Sequence, residues 1–185
     1  MRFIFAQAGI AALCALLLSG CIDSASPILS DSQQLFGPRA TFQLYGLRKG
    51  FAVEPERVTF SWDGTRYVRK SGGLKDVHAF SVHPFENGDF IIQSAPANKP
   101  RMTEYAVMHR LTDGVYQAVV IDEDDADEPT RAAHCGKGEK NDRSCRIETR
   151  DQLFAFARAT AARKRNNGGL AIRLSDDERP GKRQR

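Results

Sequence analysis

Three two-residue turn signals, Asp63-Gly64, Asn87-Gly88 and Asp113-Gly114, constrain this chain more than any other feature. Asp-Gly and Asn-Gly tolerate the positive φ angles that tight hairpins require, and each pair here is flanked by β-branched or aromatic residues. Their similar spacing predicts a meander of antiparallel hairpins, although the units share too little sequence to be a true repeat. Before the first turn Val58, Phe60 and Trp62 alternate, and Tyr67 follows it. A two-residue loop would pair Trp62 with Thr65 and Phe60 with Tyr67, placing the aromatics on one face. Around the second, Phe80 and Val82 precede the turn, and Phe90, Ile91 and Ile92 follow it. Pro84 cannot donate to a ladder, so that strand is expected at an edge or ending before the turn. Around the third, Val107, His109 and Leu111 would oppose Val120, Ala118 and Tyr116. Met108, Val115, Val119 and Ile121 give that hairpin a second apolar face, as if it were buried on both sides. A further strand, Thr41 to Leu47, is expected ahead of them.

Beyond the hairpins lies an acidic run, residues 122–128, read as a solvated loop because like charges repel when packed. It lacks the Gly and the distant Glu of the helix-loop-helix calcium motif, so no cation is assigned to it. Thr149 and Gln152 form a capping box for a helix over about residues 150–163, with Leu153, Phe154, Ala157 and Ala161 on one stripe. Asn166-Asn167-Gly168-Gly169 stops the helix, and residues 170–174 return as a last strand. The fold class expected is mainly β (β+α): an antiparallel meander forming a small sandwich or a partly open barrel, with one C-terminal helix.

The chain has 185 residues, 41% of them hydrophobic, with 27 Lys+Arg against 23 Asp+Glu. That is room for one domain with tails and excludes a polytopic membrane protein, a collagen-like repeat and a wholly disordered chain. The net charge of +4 is too mild to argue for nucleic acid, and no basic-aromatic platform is present. The charge is uneven, with basic residues concentrated after residue 150, which fit a solvated tail or contact with anionic lipid or cell-wall carboxylates. At the other end, residues 3–18 are uncharged and apolar after a single Arg2. They are shorter than the ~20 residues of a membrane span and have the pattern of a secretory signal. Leu18-Ser19-Gly20-Cys21 directly follows.

That tetrapeptide resembles the lipobox of bacterial lipoproteins. The resemblance implies diacylglycerol attached to Cys21 by a thioether, cleavage between Gly20 and Cys21, and acylation of the new amine. Two or more acyl chains anchor stably where one would not. Ile22 rather than Asp follows the Cys, which by the enterobacterial sorting rule implies the outer membrane's periplasmic leaflet. The domain plan is a cleaved signal over 1–20, lipidated Cys21 with a flexible tether over 21–38, one β-rich periplasmic domain over 39–174, and a disordered basic tail over 175–185. The tether, rich in Ser, Asp, Gln and Pro, would span at most about 60 Å.

With Cys14 in the signal and Cys21 in the anchor, Cys135 and Cys145 remain. In an oxidising compartment they are expected to form a structural disulfide. The C-x-x-C redox spacing is absent, and zinc would need two further ligands, with His134 the only close one. His78, His83 and His109 form no metal motif, and no nucleophile elbow, phosphate loop or dinucleotide fingerprint occurs. Ser71-Gly72-Gly73 reads as a flexible loop. The sequence assigns no catalytic residue, metal or cofactor. The function expected is a non-enzymatic, lipid-anchored envelope protein that presents a binding or structural domain to an envelope protein or the cell wall. The alternatives are a periplasmic inhibitor of a cell-wall hydrolase, or a small enzyme whose site assembles from distant residues, with His78, His83 or His109 among the candidates and a Ser/His/Asp triad one form it could take.

Overall fold

The hairpin signals are realised as a continuous antiparallel meander that closes on itself. The computed structural model describes residues 22–48, 51–52, 55–71, 77–96, 102–135, 145–163 and 168–174. Its strands are β1 (Asp23–Ser24), β2 (Arg39–Arg48), β3 (Phe51–Ala52), β4 (Glu56–Trp62), β5 (Tyr67–Ser71), β6 (Val77–Pro84), β7 (Phe90–Pro96), β8 (Thr103–Thr112), β9 (Val115–Val120) and β10 (Gly169–Leu174). Each of β4 to β9 pairs with its successor, β4 pairs back to β2, and β10 fits between β9 and β2. The result is an eight-stranded antiparallel barrel without a free edge, with β1 added beside the start of β8 and β3 folded back on β2. Closure depends on Gly168: a Cβ there would lie 2.6 Å from the Ala118 carbonyl oxygen, so only glycine lets β10 enter against β9.

Alternation divides the side chains between two cores. Phe42, Val58, Phe60, Tyr67, Val82, Met108 and Tyr116 point into the barrel. Ile91, Tyr105 and Val107 point outward from the wall, where they are covered by the N-terminal segment, Ile147 and the helix α2 (Arg150–Ala162), with the short helix α1 (Glu128–His134) lying beside α2. The expectation that the third hairpin is buried on both sides therefore holds, and one layer of sheet separates two apolar interiors.

The expected class, mainly β with an antiparallel meander and a C-terminal helix, is the one observed, with the barrel closed and the short α1 added among the described residues. Several details need correction. Asp63 spans a four-residue loop: its Oδ1 accepts from the Thr65 and Arg66 backbone N–H groups, so Trp62 pairs with Tyr67 and Phe60 with Arg69. The aromatics still share a face. In the third hairpin Leu111 bulges out and is 56% exposed, which slips the register so that Val107 opposes Val119 and His109 opposes Gln117. β6 ends at Pro84, before a five-residue turn in which Asn87 and Gly88 both have positive φ, at 58° and 82°. The capping box of Thr149 and Gln152 is present, but the buried stripe of α2 is Leu153, Phe156, Ala157 and Thr160. The acidic run is not simply solvated either. Asp122 and Asp127 cap the turns they precede, and buried Asp125 accepts from Thr160 Oγ1 at 2.9 Å.

The largest correction concerns residues 22–38, expected as a flexible tether. Ile22 is fully buried, Leu29 and Phe36 are 6% and 2% exposed, and the segment runs down the outside of the barrel before turning into its end. Its polar backbone is satisfied by the wall: Gln93 Oε1 accepts from the Ile28 and Leu29 N–H groups, and the Gln33 N–H donates to the Val82 carbonyl at 2.8 Å. Ile22, Leu29 and Phe36 contribute enough apolar burial to offset a composition that suits solvent.

Candidate functional site

Two concavities flank the same wall. The first is the barrel interior. Phe36 plugs the end that carries the three tight turns, with ring centroids 5.0 Å from Phe42, 5.3 Å from Tyr67 and 5.2 Å from Tyr116. The Tyr67 hydroxyl fixes the plug, accepting from the Phe36 N–H at 2.7 Å and donating to the Gly37 carbonyl at 3.1 Å. Beyond the plug lies a partly open cavity of about 240 Å³, lined mainly by Phe42, Val58, Phe60, Phe80, Ile92 and Met108. The one charged side chain in its lining is Arg69, which is 7% exposed and lies 3.1 Å from Glu56. An apolar cavity of roughly 150 Å³ already accepts a benzene-sized guest. Leaving apolar space of this size unfilled costs up to roughly 6 kcal/mol at ~24 cal/mol per Å³.

The second concavity, about 220 Å³ and polar, lies outside the barrel between the N-terminal segment and the wall. Ser81 and His83 stand two apart on β6, hence on one face, and both point outward into it. His83 Nε2 is 2.8 Å from Ser81 Oγ, and its Nδ1 is 3.2 Å from Oδ1 of Asp31 on the N-terminal segment. A carboxylate only accepts, so Nδ1 carries the proton, Nε2 is unprotonated and Ser81 donates to it. Burial pulls the His83 pKa below its ordinary value and outweighs the opposing effect of Asp31, so the ring is neutral at pH 7. Burial alone would raise the Asp31 carboxyl. Hydrogen bonds from its own backbone N–H and from His83, with the Arg150 guanidinium beside it, hold it below the usual range.

These directions fix a pH dependence. The unfolded chain takes up a proton on His83 near pH 6.5, while the folded chain resists until lower pH. The stability contributed by neutral His83 is therefore complete above about pH 6.5 and lost as the pH falls below it. Melting curves should show Tm declining between pH 7 and pH 5, with a shallower decline in His83→Gln. Equal slopes in the two proteins would remove His83 as the cause.

The residues singled out in the sequence fare differently. Cys21, the signal 1–20, the loop residues Gly72 and Gly73, and the tail 175–185 lie outside the described residues. Cys135 and Cys145 lie at disulfide distance, with sulfurs 2.12 Å apart. Glu123 approaches the two sulfurs, the one metal-like grouping among the described residues, but sulfurs joined in a disulfide are not thiolates and cannot serve as such ligands. His109 is a half-buried residue whose Nδ1 lies 2.8 Å from Asp89, and His134 ends α1. Among the histidines whose side chains are described, His83 alone joins a serine and an aspartate. Sequence reasoning missed both Ser81 and Asp31. The Ser-x-His spacing on a strand was the signal for the first, and nothing local marks the second. Comparison with family models, with curated proteins and with solved structures finds no match.

Proposed function

We propose that this is a lipid-anchored protein of the bacterial envelope, held by Cys21 in the periplasmic leaflet of the outer membrane, whose barrel binds a small apolar molecule or the end of an acyl chain. One observation carries the binding reading: a closed barrel that keeps about 240 Å³ of apolar space beside the partly buried Arg69–Glu56 ion pair. Eight-stranded barrels are just wide enough either to fill with side chains or to hold one small ligand, and this interior is not filled. The anchor reading rests on the apolar segment 3–18 and Leu18-Ser19-Gly20-Cys21.

The test is a titration of the Cys21→Ser protein, purified and delipidated, with an environment-sensitive naphthylamine dye. Saturable uptake of one dye per chain is expected. Ala118→Phe, which projects a ring into the cavity, should weaken uptake at least tenfold while leaving the melting transition cooperative. Absence of saturable uptake, or uptake indifferent to Ala118→Phe, overturns the binding reading. Palmitate labelling in cells, present for the wild type and absent for Cys21→Ser, tests the anchor separately.

A further inference from the structure

The crevice outside the barrel supports a second activity that the apolar cavity does not require. We propose that Ser81, His83 and Asp31 form a hydrolytic site for small polar carboxylic esters, with Ser81 Oγ as the nucleophile. The three groups are connected in the order that nucleophilic catalysis needs: hydroxyl to Nε2 at 2.8 Å, and Nδ1 to carboxylate at 3.2 Å. Asp31 fixes the imidazole tautomer, so the lone pair on Nε2 faces the hydroxyl it must deprotonate. Ser81 and His83 both line the crevice, whose 220 Å³ exceeds the space a benzene-sized group needs. The remaining lining is polar, with Ser30, Ser32, Thr65 and Arg66, which favours an ester with a hydroxylated or anionic part over a long acyl chain.

The polar lining around the hydroxyl includes the Gln93 amide and the Arg66 guanidinium. Gln93 Nε2 carries two hydrogens, one directed to the Leu29 carbonyl at 3.1 Å and the other to Ser81 Oγ at 3.3 Å. Both Gln93 hydrogens are engaged, so the Arg66 guanidinium of the same lining is the group placed to meet the developing oxyanion. In the first step Ser81 Oγ bonds to the ester carbonyl carbon while its proton passes to Nε2. The carbon–oxygen ester bond then breaks, and the alcohol leaves with that proton. In the second step water gives a proton to Nε2 and attacks the acyl-serine, releasing the carboxylic acid and restoring Ser81. The net change is ester plus water to acid plus alcohol.

The groups could also serve only to fasten the N-terminal segment, and a covalent readout separates the two roles. The full mature chain is treated with a short-chain alkyl fluorophosphonate, and adducts are read by intact mass and peptide mapping. One adduct is expected, on Ser81 and on no other serine, with fluoride released. The labelling rate should fall at least about 100-fold in His83→Gln, the size expected for removing a general base. A folded wild-type protein that remains unmodified at Ser81 overturns the proposal, as does equal labelling of His83→Gln. Should His83→Gln fail to fold, Asp31→Asn decides. Its side chain is half-exposed, so the fold tolerates it, and an amide there loosens the tautomer. Slower labelling of Ser81 supports the site and an unchanged rate overturns it. Dye uptake by the barrel should be unaffected by Ser81→Ala, so this site and the cavity fail or succeed independently.

Discussion

Replacing Phe36 by alanine is expected to cost about 3–5 kcal/mol, the range for removing a fully buried aromatic ring. Phe36 is 2% exposed and meets three aromatic rings, two of them edge-on, an arrangement that adds to simple burial. The ring also closes one end of the barrel, so its loss does more than leave a hole. The plug is held from two sides, by ring packing and by the Tyr67 hydroxyl bridging the Phe36 N–H and the Gly37 carbonyl. Alanine removes the first restraint and leaves the second without support. In a domain of this size the loss corresponds to a Tm lower by roughly 10 °C or more. Urea unfolding should show the same loss with an unchanged m-value. Phe36→Leu, which keeps most of the volume, should cost only about 1–2 kcal/mol. The naphthylamine dye should also exchange faster in Phe36→Ala, because the cavity gains a second opening at the turn end. A loss below about 1 kcal/mol would show that residues 35–37 lie on the barrel without sealing it.

The hairpins were legible because their determinants are local. Asp63-Gly64, Asn87-Gly88 and Asp113-Gly114 each act within a few residues, and the alternating Val58, Phe60 and Trp62 mark a face without reference to the rest of the chain. Registers were less legible. Whether Asp63 closes a two- or a four-residue loop depends on its carboxylate gathering the N–H groups of Thr65 and Arg66, which hold its pKa down at about 2. Dipeptide rules do not see that. Closure was illegible for a different reason: Leu170 pairs with Tyr45, far apart in the chain, and periodicity carries no information about such partners. The helix was recognised from its capping box, but its buried stripe was displaced, because Phe156 rather than Phe154 meets the outer wall. The polar constellation was the least legible. Ser81 and His83 look like ordinary strand residues, and Asp31 belongs to a segment whose composition signals solvation. They form a site only because that segment is folded against β6.

Gln93→Leu should show how that segment is held, with a loss of about 3–5 kcal/mol despite nearly conserved volume. Gln93 is 7% exposed, and its amide makes four contacts: it accepts from the Ile28 and Leu29 N–H groups, each at 3.0 Å, and donates to the Leu29 carbonyl and to Ser81. Leucine supplies none of these. It leaves both backbone groups of buried Leu29 facing an apolar side chain, at about 1–3 kcal/mol for each buried unsatisfied group. The Ile28 N–H keeps a weaker partner, the Tyr105 hydroxyl at 3.3 Å, so the damage centres on Leu29. Barrel strands do not depend on these bonds, and the change should therefore be local. Amide exchange at residues 28–33 should accelerate by orders of magnitude while β7 and β8 stay protected, and proteolysis should first cut between Ser24 and Phe36. Unchanged protection there would mean that Ile22, Leu29 and Phe36 hold the segment by apolar burial alone. The distinction matters for the proposed anchor. Ile22 is fully buried one residue after Cys21, so a lipid on Cys21 would leave no slack between bilayer and barrel. Gln93→Leu would not supply slack, because β1 stays paired with β8 and the Ile22 N–H still donates to the Ile121 carbonyl at 3.2 Å, between Cys21 and the freed residues. In membrane-bound protein, quenching of the single tryptophan, Trp62, by headgroup-labelled lipid should then match the wild type, and a decrease would show that β1 is released together with residues 25–35.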